Sequence, residues 1–257
     1  MKKFKFGASI LIAIVLLSLI FAEFKTEINS SNALVGPSLL HPFGFDSLGR
    51  DLLGRVSAGV LVSLAVSAAS VVVAMSVGLF FAFMMSKGKM SYLAFAASDS
   101  LKLLPLVPLA LFLSSIGGPG AGKLIAAMSL SMAPVVARAS YSKIAILKKE
   151  RFTLSSYGFG YSSMQVFIMH ILPHLYSYIR EQAISLLLSA ILMEASLSYL
   201  GAGLSVGTPS LGAIVAEAKA YMLTNPLFIT FPSVVLLALG FSLVMMIKGL
   251  SELDSSS

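Results

Sequence analysis

The residues that could do chemistry lie in a few places. Gly117-Gly118-Pro119-Gly120-Ala121-Gly122-Lys123 approaches a phosphate-cradling loop. That loop needs a Ser or Thr after the lysine to hold magnesium, and it must follow a strand. Here Leu124 follows the lysine and an apolar run precedes the glycines, so no nucleotide site is expected. His170 and His174 stand four apart, a spacing that can hold a metal ion on a helix. Pro173 lies between them and no Cys or carboxylate sits within a turn, so no metal site is expected either. The serines have no His–Asp constellation beside them, which leaves no hydrolase chemistry. Cysteine is absent, which removes disulfides and thiolate nucleophiles.

Ionisable residues inside apolar runs are a different matter, because burying them in lipid is costly and they mark function by default. Glu194, in MEASLSYLGAG, is one, with Ser196 and Ser198 beside it. Glu194 and Ser198 are candidate pore or gate residues; the competing role is an anchor to a neighbouring helix. Asp99 and Lys102 are three apart on one helix face, and a structural ion pair is expected between them rather than a proton relay. The chain therefore offers no catalytic residues, no metal ligands and no cofactor site.

The elements that hold these residues are membrane spans. The chain is 57% apolar and 11% charged, with mean hydropathy +0.93. A soluble domain carries about 25% charged residues, so this composition cannot cover a water-exposed globule. At roughly 20 apolar residues per span, the sequence divides into six: about 7–22, 56–85, 92–116, 124–142, 175–200 and 227–247. The expected class is an all-α integral membrane protein. Its parts are a first transmembrane helix (1–22), an extracytoplasmic segment (23–55), a core (56–250) and a tail (251–257). Met1-Lys2-Lys3-Phe4-Lys5 ahead of the first run resembles a secretory signal, but the run is of span length and Ala22-Glu23-Phe24-Lys25 is a poor cleavage site. An uncleaved span is expected.

Charge sets the orientation. With the N-terminus inside, the inner segments hold Lys2, Lys3, Lys5, Lys87, Lys89, Arg138, Lys143, Lys148, Lys149, Arg151 and Lys248, and the outer ones Lys25, Arg50, Arg55, Lys123 and Lys219. Eleven against five follows the positive-inside rule and places both termini in the cytoplasm. The formal charge of +7 is thus explained by loops, and no basic stripe with interleaved aromatics suggests nucleic acid.

Within the second span Gly59, Ser63 and Ser67 recur every four residues, as do Ser70, Ala74 and Gly78. This spacing brings small side chains to a face where helices approach closely. Pro105, Pro108, Pro134 and Pro232 interrupt other spans and free backbone carbonyls, which suits a transport path and also occurs in plain bundles. Before the second span, HPFGFDSLGRDLLGR at 41–55 is rich in turn residues. Asp46, Arg50, Asp51 and Arg55 could pair locally and start a short interfacial helix, or merely form a turn and a cap. The largest inner loop, about 143–172, runs Lys148-Lys149-Glu150-Arg151-Phe152-Thr153-Leu154-Ser155-Ser156-Tyr157-Gly158-Phe159-Gly160-Tyr161-Ser162. Its Phe152, Tyr157, Phe159 and Tyr161 call for a cover, from a partner protein, the bundle itself or lipid headgroups.

Three segments together resemble the "C"-type permease subunits of dipeptide, oligopeptide and nickel ABC importers. They are HPFGFDSLGRDLLGR at 41–55, KKERFTLSSYGFGYSSMQVFIMHILPH at 148–174, and MEASLSYLGAGLSVGTPSLGAIVAEA at 193–218. The resemblance runs from about residue 41 to the end. It implies a six-helix, type I importer-like permease, non-catalytic, in the inner membrane. It also implies a pore shared with a second permease, two cytoplasmic ATP-binding subunits, and an extracytoplasmic solute-binding protein. The cytoplasmic loop would place a coupling helix in a groove of the ATPase, through Phe152, Leu154, Ser155, Ser156 and Gly160. One departure stands out. The family's Glu-Ala-Ala is replaced by Leu154, Ser155 and Ser156, while Gly160 and His170-Ile171-Leu172-Pro173 are kept. Leu211 also stands where the family commonly has an aromatic. The substrate stays open between peptides and metal chelates. An ion-driven carrier would instead need more ionisable residues along a path than Asp99, Arg180 and Glu194, and a non-transporting scaffold would need no ATPase.

Overall fold

The computed structural model describes residues 2–23, 28–86, 91–205 and 207–254, and all of its regular structure is helical. Lys25, the expected turn residues Lys87, Gly88 and Lys89, and the tail Ser255–Ser257 lie outside the described residues, as does the side chain of Tyr157. The helices are α1 (Lys2–Phe21), α2 (Leu52–Met85), α3 (Ser91–Lys102), α4 (Leu106–Ser115), α5 (Ala121–Leu147), α6 (Arg151–Gly158), α7 (Ser163–Val166), α8 (Leu172–Tyr199), α9 (Leu211–Ala218) and α10 (Pro226–Asp254). Among the described residues, five continuous helices are long and apolar enough to cross a membrane. A sixth span forms if α3 and α4, bent by 79° at their junction, count as one.

The bend has a local cause. Pro105 cannot continue a helix from the residues before it and serves as the N-cap of α4. The other prolines behave differently from the interruptions expected of them. Pro108 occupies the first turn of α4, where a missing N–H costs nothing. Pro134 and Pro232 sit inside α5 and α10, which run on past them.

Small residues set the packing. Gly59, Ser63, Ser67, Ser70, Ala74 and Gly78 are all buried on α2. A Cβ on Gly78 would overlap Val136 of α5, and one on Gly59 would press on the backbone at Ser210 and Leu211. Gly7 and Gly249 do the same between α1 and α10, meeting Ser242 and Phe4. The main apolar core lies among α2, α4, α5 and α8, around Ala74, Met128, Met132, Leu186 and Ala190. A second joins α2, α9 and α10 through Val56, Val60, Ile214 and Phe228.

The path of the chain gives the bundle two distinct ends. Lys3 pairs with Glu252, so both termini share one end. Lys148 at the end of α5 donates to the Ser86 carbonyl at the end of α2 (2.9 Å), which brings α6 to that same end. At the opposite, far end, Phe43 stacks on Phe231 (centroids 4.2 Å apart), and Asn225 donates to the Leu34 carbonyl.

Candidate functional site: an exposed helix at one end, a closed charge cluster at the other

At the terminal end, α5 stops and α6 begins within a few residues. The turn is held by Thr153, whose hydroxyl donates to the Leu147 carbonyl (2.7 Å) and whose N–H donates to Glu150. Phe152 lies against the apolar cluster of Ile144, Leu147, Val166, Ile171 and Leu175, and stacks on His174 (centroids 4.7 Å apart). Burial pushes the nearby Lys148 ammonium below its ordinary range. The root of α6 is thus fixed to the bundle.

The other end of α6 is closed by Gly160. Its φ of +84° is the left-handed conformation that favours glycine. The Tyr161 N–H donates to the Ser156 carbonyl (3.3 Å), as in a Schellman cap. No other atom crowds Gly160, so its requirement is conformational. Ser155 and Ser156 donate back to the carbonyls of Arg151 and Phe152. The outer face of α6 is uncovered and mixed, with Leu154 57% exposed beside the exposed Arg151 and Ser155, and just past its end Phe159 is 82% and Tyr161 43% exposed. Of the expected residues, Leu154, Ser155 and Gly160 face outward, while Phe152 and Ser156 support the helix from beneath. His170 and His174 share one helix across a π-helical turn at Phe167–Ile171 and face aromatic rings. Among the described residues no His, Asp or Glu cluster could hold a metal.

At the far end, Gly44 and Gly49 take positive φ and fold 41–55 into a tight turn bridged between Phe45 and Asp51. Asp46 is fully buried. It accepts from the Leu48 and Arg50 N–H groups (2.8 and 2.9 Å), from Arg50 Nε (2.7 Å) and from Arg55 Nη1 (2.5 Å). Asp51 caps α2 by accepting from the Gly54 N–H (2.8 Å), and His41 Nδ1 lies 2.6 Å from its other oxygen. Both expected roles hold here, ion pairs and cap, but no separate interfacial helix forms; Arg55 belongs to α2 itself. The sequence did not reveal Glu217 of α9, which takes Arg55 (2.9 Å), Arg50 (3.3 Å) and the Ser47 hydroxyl (2.5 Å).

Glu194 is fully buried, on the inner face of α8. It accepts from Ser63 of α2 and from Ser198, both at 2.7 Å, and Ser63 accepts in turn from the Leu211 N–H of α9 (3.3 Å). Of the two roles weighed for Glu194 and Ser198, the geometry here is that of the anchor: both are sealed between helices, where they tie α2, α8 and α9 together. The expected pairing of Asp99 is corrected. Its hydrogen-bonded partner is Arg138 of α5 rather than Lys102: the planar guanidinium pairs with both carboxylate oxygens. Arg138 also lies over the Phe95 ring at 4.6 Å. It sits within α5, not in the inner loop with which its charge was counted. Lys123 of the glycine-rich segment folds back onto the Ile116 and Gly118 carbonyls, so it closes the end of α4.

Residues 74–253 match the family model described as "Binding-protein-dependent transport system inner membrane component". The chain is 33% identical over 213 residues to the glutathione transport system permease protein GsiD of Escherichia coli O1:K1 / APEC, covering 81% of this chain and 70% of that protein. The Shigella dysenteriae serotype 1 (strain Sd197) GsiD is 34% identical over the same shares. In three dimensions the chain resembles a structure of inward-facing conformations of the MetNI methionine ABC transporter (TM-score 0.60, 19% identity, 75% of this chain and 94% of that one). It also resembles a crystal structure of an amino acid ABC transporter with histidines (TM-score 0.60, 15% identity, 79% and 94%). The chain belongs to the binding-protein-dependent transport inner-membrane components, as a multi-pass, non-catalytic "C"-type permease of the peptide and nickel ABC importer group.

Proposed function

We propose that the chain forms a translocation pore with a second permease and that α6 is the coupling helix seated on a cytoplasmic ATP-hydrolysing subunit. Two such subunits would drive the pore, and an extracytoplasmic solute-binding protein would deliver the solute at the far end. On this reading the end bearing α6 and both termini is cytoplasmic, in keeping with the excess of Lys and Arg there. The observation that carries the proposal is the exposed apolar surface of Leu154 on α6 and Phe159 just past its end, next to a helix whose root is fixed. Covering a side chain of that size contributes about 1.5–3 kcal/mol, enough for a docking contact. Where relatives place a glutamate, Leu154 offers an apolar contact, so the matching groove is expected to be apolar. The substrate is a di- or oligopeptide or a nickel or other metal chelate. Similarity to a permease named for glutathione, a peptide, supports the first.

Replacing Gly160 with valine tests the assignment. The left-handed backbone would be strained by about 1–2 kcal/mol, enough to re-aim the end of α6 without unfolding the bundle. Uptake and transport-coupled ATP hydrolysis should both fall while the subunit still inserts. Unchanged uptake would contradict the coupling role.

A further inference from the structure

The free faces of two spanning helices differ in chemistry. On α8, Glu181, Gln182, Ser185, Ser189, Ser196 and Tyr199 recur at three- and four-residue steps and so share one face. Leu192 is the apolar exception. The chain's other helices cover this line only in part: Ser185, Ser196 and Tyr199 are exposed, and Glu181, Gln182 and Ser189 half-buried, with Gln182 accepting from Ser140 of α5 (3.4 Å). The opposite face holds the buried Leu186, Ala190 and Leu197, with Glu194 and Ser198. Two cavities open along the polar line. One of about 260 Å³ is bordered by Glu181, Gln182 and Ser185 with Tyr178 and Ile247, and one of about 400 Å³ touches Ser196 and Tyr199 but is otherwise mostly apolar, with Leu192, Leu200, Val215 and Leu236 in its wall. On α1 the free face is instead Ile12, Leu16, Leu17, Leu19 and Ile20.

Length fixes the depth of the polar line. The helix containing α8 is continuous for 36 residues, Met164–Tyr199, or about 54 Å. The hydrocarbon core is about 30 Å thick. With Tyr199 at the far boundary, the core takes in about the last 20 residues. Ser185, Ser189 and Ser196 then lie inside the core over about 16 Å of its depth, and Glu181 stands near the opposite boundary. Ser189 and Ser196 satisfy their own protons on the Ser185 and Leu192 carbonyls (3.2 and 2.7 Å), which leaves their lone pairs free. Glu181 has no ion pair among the described residues. Ionisable groups on spanning helices turn to water-filled cavities or bundle interiors, not to lipid.

We propose that this face of α8 lines the water-filled path for a polar, hydrogen-bonding solute, with the three serines as contacts along it and Glu181 making its inner mouth attractive to cations. The proposal rests on the permease assignment and is independent of what α6 does, so either can fail alone.

The chain has no cysteine, so single-cysteine variants need no other change. Ser185→Cys, Ser189→Cys and Ser196→Cys, with Leu16→Cys and Ile20→Cys on α1 as the lipid-facing set, are placed in the whole transporter in membrane vesicles. Each is treated with a charged, membrane-impermeant maleimide. A thiol in water ionises, and one in an apolar setting does not, so the α8 set should react at least about tenfold faster than the α1 set. Labelling of the α8 set should also block uptake. Equal resistance of both sets would overturn the proposal. So would α8 thiols that resist the reagent and instead form disulfides with a neighbouring permease chain, which would make this face a helix interface. Glu181 has its own readout. At Ser185→Cys a cationic thiosulfonate should outpace an anionic one, and Glu181→Gln should reduce that ratio about threefold for groups one helical turn apart. An unchanged ratio would remove Glu181 from the mouth.

Discussion

At the far end, Asp46 is fully buried and accepts four hydrogen bonds, and the two arginines it holds are shared with Glu217. At the terminal end, Phe159 is almost bare, just past a helix whose root is pinned by Thr153 and Phe152. One end completes its own polar groups inside the chain. The other leaves apolar surface that only something else can cover. Buried charges demand partners, which makes the far end a rigid clamp on α2 and α9. Exposed apolar side chains on a fixed helix mark a docking surface. The difference teaches where this chain is finished and where it is one part of an assembly.

Substitutions should separate the two ends, with effects on stability falling from the clamp to the docking helix. Asp46→Ala leaves Arg50 and Arg55 with Glu217 alone and the Leu48 and Arg50 N–H groups without their acceptor, and should cost about 3–5 kcal/mol, as when a buried pair loses one member. Loss of subunit from the membrane, or a sharp fall in thermal midpoint in detergent, would show it. Ser63→Ala removes one of two donors to Glu194 and should cost about 1–3 kcal/mol. Heating followed by size-exclusion chromatography reads that loss; a larger effect on uptake than on stability would reopen a path role for Glu194. Gly160→Val should cost about 1–2 kcal/mol yet reduce transport disproportionately. Phe159→Ala should change stability by no more than about 0.5 kcal/mol, as expected of an exposed site. It should nevertheless weaken retention of the ATP-hydrolysing subunit during purification. If Phe159→Ala unfolded the chain, the contrast between the ends would be wrong.

Much of the scaffold was legible because its signals are local. The four-residue spacing of Gly59, Ser63 and Ser67 announces a close helix contact, and each of them is buried. Asp51 ahead of the second span announces a cap. What was hidden depends on distance along the chain. Glu217 meets Arg55 across 162 residues, and no pattern near either foretells it. Asp99 was matched with its helical neighbour Lys102, while its partner Arg138 comes from 39 residues away on another helix. The prolines show the same limit from a different side. Pro105 coincides with a 79° bend, whereas Pro134 and Pro232 are absorbed, and the sequence around them does not separate the cases. For the candidate site, the aromatic loop and Gly160 were visible, but not which side chains would point outward. That is decided by the packing of Phe152 and Thr153 beneath α6.

The most direct measurement is site-specific photocrosslinking from position 159 in native membranes. The docking account predicts an adduct with a nucleotide-hydrolysing subunit, formed on the cytoplasmic side and weakened by Gly160→Val. Labelling of position 159 from the outer side of the membrane, or adducts with lipid and no protein, would contradict it.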